Sequence, residues 1–229
     1  MGSPLEKEIL LRILKSRRIL VDEVQAAYGV VDDVLDKLLG DNRDFITVNG
    51  RMIIVDKPLE LALKLLDQGV SVKRVSEALE WRDFEKLAST IMSGHGYIVE
   101  TNVFLSSPVR FEIDVVGVDP VSRLGILVDC KHWSHNTRWR LIEAGARQIE
   151  RLGKLISHYE HVRSRYRVFD YMREAIPLIL TLQTPVVRVY ENVLYVSIRE
   201  FNDFLNNIRY VIESFNIRPV KLVQERDSL

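Results

Sequence analysis

The chain has 229 residues, 47% of them hydrophobic and 28% charged, enough for one large domain or two small ones of ordinary globular composition. Its 32 basic and 32 acidic side chains cancel, which excludes a global electrostatic pull toward nucleic acid or membrane and leaves such binding to local patches. A single cysteine excludes an intrachain disulfide, and no apolar run approaches membrane-spanning length, so the expectation is a cytoplasmic protein with no membrane partner.

In the first segment, residues 1–57, Leu5, Ile9, Leu10, Ile13 and Leu14 follow helical spacing. Two shorter helices are expected from Val21 to Tyr28, closed by Gly29, and from Val31 to Leu39, closed by Gly40. Phe45 to Val48 and Met52 to Val55 flank Asn49-Gly50, a two-residue hairpin signal. Three helices and a hairpin resemble a winged helix-turn-helix, which implies DNA reading through the third helix. The charges oppose that use. Asp32, Asp33 and Asp36 face a single Lys37 there, and nine basic residues meet ten acidic ones over the segment. A dimerisation or protein-docking module is the favoured reading, with Arg17, Arg18, Arg43 and Arg51 as the groups still able to touch a phosphate backbone.

Residues 58–79 are expected as a helical connector. Pro58 suits a helix start, Leu59, Leu61, Ala62, Leu65 and Leu66 form a stripe, and a short helix runs from Val72 to Leu79. No Gly-, Pro- or Ser-rich run marks a flexible linker.

The main domain is expected over residues 80–229. A helix from Trp81 buries Phe84, Leu87, Ala88 and Ile91 and ends near Gly94-His95-Gly96, and a strand begins at Tyr97. Phe111 to Gly117 and Gly125 to Lys131 read as central strands, followed by a long helix from about Arg140 to Tyr159. Ile176 to Leu182 is a continuous apolar run of the buried-strand kind. Val186 to Tyr190 and Leu194 to Ile198 form a hairpin, and one closing helix covers Phe201 to Phe215. This order predicts an α/β fold with a mixed sheet and helices on both faces.

The two central strands carry charges where core strands should not. Asp114 interrupts one apolar run, and Asp129 and Lys131 close the other. Burying unpaired charge is costly, so such groups coordinate something or each other. With Glu85 in the preceding helix, Asp114 on one strand and Asp129-Cys130-Lys131 on the next, the chain resembles the PD-(D/E)XK nuclease superfamily. The nearest flavours are Mrr-type restriction endonucleases and archaeal Holliday junction resolvases. Phe84-Glu85, the helix ending in Gly96-Tyr97, the spacing of Asp114 before Asp129 and Gln148 in the following helix belong to the same resemblance, which spans roughly residues 80–182.

The resemblance implies a restriction-endonuclease-like fold and a catalytic set of Glu85, Asp114, Asp129, Lys131 and Gln148. Mg²⁺, with Mn²⁺ as the alternative, takes oxygen ligands in near-octahedral geometry. Asp114, Asp129 and the backbone carbonyl of Cys130 would supply three, and Glu85 would reach the cation directly or through water. The cation would polarise the phosphodiester and acidify a bound water, and Lys131 would orient the nucleophile and offset transition-state charge. Bland readings stand beside these. Asp114 and Lys131 could be a structural ion pair, and Glu85 and Gln148 solvated helix positions. Glu112 lies two residues before Asp114, on the same face by alternation, but Asp114 is the preferred ligand.

From Lys131 to Arg173, ten basic residues oppose four acidic ones, and four of the five histidines lie there too. Such a stretch suits a phosphate-backbone binder, although a solvated helix face accounts for part of it. The candidate nucleic-acid contacts are His132, Trp133, His135, Arg138, Trp139, Arg140, Arg147 and Arg151. The paired histidines have no companion cysteines, which argues against zinc.

The leading expectation is a Mg²⁺-dependent DNA endonuclease acting as a homodimer. The alternatives are a catalytically silent DNA-binding or assembly protein on the nuclease fold and, with less support, an RNA-processing nuclease, which would want a stacking sheet of aromatics.

Overall fold

A computed structural model describes residues 3–131, 133 and 136–222, which fall into two compact units, Met1–Asp83 and Phe84–Leu229.

The first unit opens with α1 (Pro4–Ser16), whose start is fixed by a capping box between Ser3 and Glu6. Then come β1 (Arg18–Leu20), α2 (Val21–Tyr28), α3 (Asp32–Gly40), β2 (Ile46–Asn49) and β3 (Met52–Val55). The strands form a separate small antiparallel sheet in the order β1-β3-β2. Sequence reading missed β1, because three residues beginning at a charged Arg18 give no alternation to detect. Gly50 turns the β2–β3 hairpin at φ 61°. Helices α4 (Pro58–Asp67) and α5 (Val72–Ala78) pack on α1, burying Leu59, Leu61, Ala62, Leu65 and Val75. The stretch expected as a connector is therefore part of the first unit's core.

Helix α6 (Trp81–Gly94) carries the chain into the second unit. Its mixed sheet is built from β4 (Ile98–Leu105), β5 (Phe111–Val118), β6 (Leu124–Lys131), β7 (Glu174–Thr181), β8 (Val189–Tyr190) and β9 (Val193–Ser197), in the order β4-β5-β6-β7-β9-β8. A seventh strand among the described residues, β10 (Val220–Lys221), pairs with the start of β7. The β4–β5–β6 stretch is antiparallel, whereas β6, β7 and β9 run parallel. A parallel pair requires a crossover, here supplied mainly by α7 (Arg138–Ser157).

Helices cover both faces. On one, Leu152 and Leu155 of α7 share a core with Val116, Val118 and Leu127, while Leu141 and Ala144 pack with Ile179, Val193 and Tyr195. Gly145 allows this approach, because a Cβ there would overlap the Tyr195 hydroxyl and lie 3.1 Å from ring carbon Cζ. On the other face Gly117 accommodates Met92 of α6, whose Sδ would sit 2.9 Å from any Cβ added there. The α/β mixed-sheet architecture expected from the sequence is the one observed. The single closing helix is instead two, α9 (Ile198–Asn206) and α10 (Ile208–Ser214), broken at Asn207, whose φ of −115° leaves helical geometry. Among the described residues no helix is long and apolar enough to cross a membrane.

Candidate metal centre

The centre lies where the β5–β6 ladder ends. Val115 pairs with Val128, and continuing that register sets Asp114 across from Asp129. Past this point the ladder is replaced by a side-chain bond, in which the Cys130 backbone N–H donates to the Asp114 carboxylate at 2.7 Å. On the β4 side, Asn102 sits between the Thr101–Val115 and Val103–Ile113 pairs with φ 54°. Asp114 therefore interrupts regular pairing on both of its edges.

Both carboxylates are buried, Asp114 at 7% and Asp129 at 1% exposure, whereas Glu112 faces solvent. Burial first, and the neighbouring Asp129 charge second, push the Asp114 carboxyl up to about 6, against the Cys130 N–H, Lys131 and Arg151, which pull it down. Asp129 is held by two cations. Arg151 Nη1 donates to Oδ1 at 2.6 Å, and the Lys131 ammonium lies 2.7 Å from Oδ2 as an ion pair without a well-directed hydrogen bond. Lys131 also sits 5.9 Å from the ring centre of Trp133.

Gln148 is fully buried. Its Nε2 donates to the Leu127 carbonyl at 2.8 Å, which turns Oε1 toward Arg151 Nη1 at 3.1 Å. It braces Arg151 from within the core. Glu85 is buried at 3% exposure on α6, and its charge is felt at the Cys130 thiol. Burial, then Asp114, Asp129 and Glu85, raise that thiol well above its ordinary range, against Lys131, which lowers it.

Asp114, Asp129, Lys131, Gln148 and the Cys130 backbone thus come together, joined by Arg151. Sequence reading placed Arg151 on a nucleic-acid-facing helix surface. The structure shows its guanidinium on Asp129, a contact signalled only by its position one turn after Gln148. Trp133 is half-buried, packed against the core cluster of Leu141, Ile179, Val193 and Tyr195. Trp139 is 74% exposed in the first turn of α7, flanked by exposed Arg138 and Arg140. Arg147 pairs with Glu143 at 2.9 Å and Lys154 with Glu150 at 2.5 Å, which cancels part of the basic excess. Arg163 and Arg173 line a separate cleft of about 550 Å³ beside Arg123, Glu174 and Lys221, at the start of β7, whereas Asp129 and Lys131 sit at the end of the parallel strand β6. His132 and His135 lie outside the described residues.

Among the described residues no three His, Cys, Asp or Glu side chains form a cluster that could hold a metal ion. The donor chemistry fits a hard cation nonetheless. Mg²⁺ retains several waters and commonly takes one or two carboxylates, and two buried carboxylates of adjacent strands face each other here. A structural zinc site, with its sulfur or imidazole set, does not fit.

No family model and no curated protein matches the chain. Solved structures similar to it include the restriction endonuclease FokI, with TM-score 0.41 and 16% identity over 90% of this chain and 44% of that one. FokI bound to DNA gives TM-score 0.33 and 13% identity over 92% and 46%. Protein VC1899 from Vibrio cholerae gives 0.34 and 13% over 93% and 58%. The chain spans less than two thirds of the length of each of these. At such TM-scores and identities the overlaps fix neither fold family nor activity.

Proposed function

We propose that the protein is a metal-dependent endonuclease that hydrolyses DNA phosphodiester bonds on a restriction-endonuclease-like fold. The observation that carries this reading is the facing pair of buried carboxylates, Asp114 and Asp129, with the Asp114 carboxyl pushed up to about 6 by its burial first and by the Asp129 charge second. Concentrated negative charge of this kind marks functional sites more often than packing. Asp114, Asp129 and the Cys130 carbonyl would hold Mg²⁺ or Mn²⁺, with Glu85 assisting from α6. The bound cation would supply Lewis-acid polarisation of the phosphodiester and a more acidic water. Lys131, with its ammonium fixed at Asp129, orients the nucleophile and offsets charge developing on the phosphoryl oxygens. Arg138, Trp139 and Arg140, exposed and without an ion pair among the described residues, are the strongest candidates for backbone contact and stacking.

The first unit is assigned a docking or homodimerisation role. Two of its four arginines considered for phosphate contact are occupied, Arg17 with Asp83 and Arg51 with Asp22. Helix α3 exposes Asp32, Asp33 and Asp36 beside Val31 and Val34, at 64% and 49% exposure. That surface suits a protein better than a polyanion.

One observation favours the second reading, a catalytically silent DNA-binding or assembly protein: Asp129 is already neutralised by Lys131 and Arg151. Cleavage of plasmid and branched DNA in Mg²⁺, Mn²⁺ or EDTA separates the two. The nuclease reading expects metal-dependent cutting that is lost in Asp129→Ala and Lys131→Ala with DNA binding retained. DNA binding with no cutting of any form, unaltered by either substitution, leaves the silent reading.

A further inference from the structure

We propose that Arg151 is the exchangeable counter-cation of Asp129. It neutralises the carboxylate while no divalent cation is bound and transfers to the substrate phosphate when one is. This rests on the metal-dependent reading above and adds a loading switch to it.

Asp129 already carries two counter-cations, Lys131 and Arg151, with the Asp114 and Glu85 carboxylates close by. A divalent cation added to that set would meet two fixed positive charges a few ångströms away. Arginine cannot give way by losing its proton, so it has to move. Lys131 is the less mobile of the two cations, because it lies on the same strand face as Asp129, with its ammonium 2.7 Å from that carboxylate and 5.9 Å from the centre of the Trp133 ring. Arg151 reaches the carboxylate from α7 and not from the sheet, so it can leave without disturbing the strands.

Gln148 makes that departure orderly. Its amide is fixed by the Leu127 carbonyl, so Oε1 stays aimed at the guanidinium whether or not Asp129 holds it. Arg151 has a standing second partner close to the centre and a planar fork matched to phosphate oxygens. In this scheme Gln148 is a positioning residue, acting through Arg151.

The test is Mn²⁺ binding by the full-length protein without DNA, followed by electron paramagnetic resonance, for the wild type, Arg151→Met, Arg151→Gln and Asp129→Asn. Asp129→Asn is expected to lose the site. Both Arg151 variants are expected to bind Mn²⁺ at least roughly tenfold tighter than wild type, the order set by removing one like charge beside a charged group. They should also show a lower unfolding midpoint in EDTA and a larger rise on adding Mn²⁺. Arg151→Gln keeps a hydrogen-bonding side chain and serves if Arg151→Met does not fold. Affinity equal to or weaker than wild type overturns the exchange while leaving the metal reading standing. Absence of any Asp129-dependent Mn²⁺ binding overturns both. With an uncleavable, backbone-modified duplex, the salt slope of DNA binding should fall by about one between wild type and Arg151→Gln in Mn²⁺ and not in EDTA. The same slope for both proteins in Mn²⁺ overturns the transfer to phosphate.

Discussion

Two sets of ion pairs of similar length, one from each unit, stand in opposite surroundings, although Arg17–Asp83 in the first unit is also mostly buried and Arg147–Glu143 in the second is about half exposed. In the first, Arg74 grips Glu8 with contacts of 2.5 and 2.6 Å, and Arg51 grips Asp22, with all four side chains near half exposed or more. In the second, Arg151 and Lys131 approach Asp129 at 2.6 and 2.7 Å, but the carboxylate has almost no solvent. Distance does not distinguish these pairs; water does. Exposed pairs are screened and held against side-chain entropy, so they contribute little. Taking away the Asp129 carboxylate leaves two cations without compensation.

The largest break in that comparison is Asp129→Asn. It strands two cations at the end of β6 and should lower stability by about 2 kcal/mol, below the fully buried range because both cations are partly solvated. Chemical denaturation with the slope m unchanged is the measurement. Asp114→Asn should act in the opposite direction. It removes a buried like charge while its side-chain oxygen still accepts from the Cys130 N–H, so a gain of about 1 kcal/mol at neutral pH is expected from the same measurement. A loss in Asp114→Asn comparable to that in Asp129→Asn would mean that burial, not charge balance, governs the pair.

A smaller effect tests an intermediate case. Glu200 is bound by Arg188 through two contacts of 2.8 Å and caps α9 through Ser197, and the arginine bonds above all depress its carboxyl to about 2. A carboxyl whose folded value lies below its unfolded one stabilises the fold above the unfolded value. That contribution therefore holds above about pH 4.3 and fades as pH falls toward 2. Acid titration of unfolding should show wild type and Glu200→Gln converging over that window. Smallest of all, Glu8→Gln should leave the unfolding midpoint within measurement scatter and remove what little salt dependence the Arg74 pair contributes. A clear drop there would erase the contrast between the units.

The sequence revealed charges that violate a pattern and concealed those that obey one. Asp114 stood out because it interrupts an apolar strand and Asp129 because it closes one, and the register sets them face to face. Arg151 did not, because a basic residue on a long amphipathic helix is unremarkable until the helix is laid across β6. That crossing depends on α7 meeting Tyr195 at Gly145, a tertiary contact with no local signature. Trp133, expected among the nucleic-acid contacts, is half-buried against its own core. The long elements α6, α7, β5 and β6 were legible from periodicity, whereas β1, β10 and the break at Asn207 were too short or too local to leave one.

Gly145 has a mechanical consequence. An α-helix is stiff over a few turns, so α7 acts as a lever with its fulcrum at the Tyr195 contact. Gln148 lies about 4.5 Å and Arg151 about 9 Å further along its axis. Lifting the helix by about 1 Å at the fulcrum would carry the 2.6 Å bond between Arg151 and Asp129 beyond hydrogen-bonding range. The charge balance of the centre is therefore set in part by the absence of a methyl group, at a position that carries no charge.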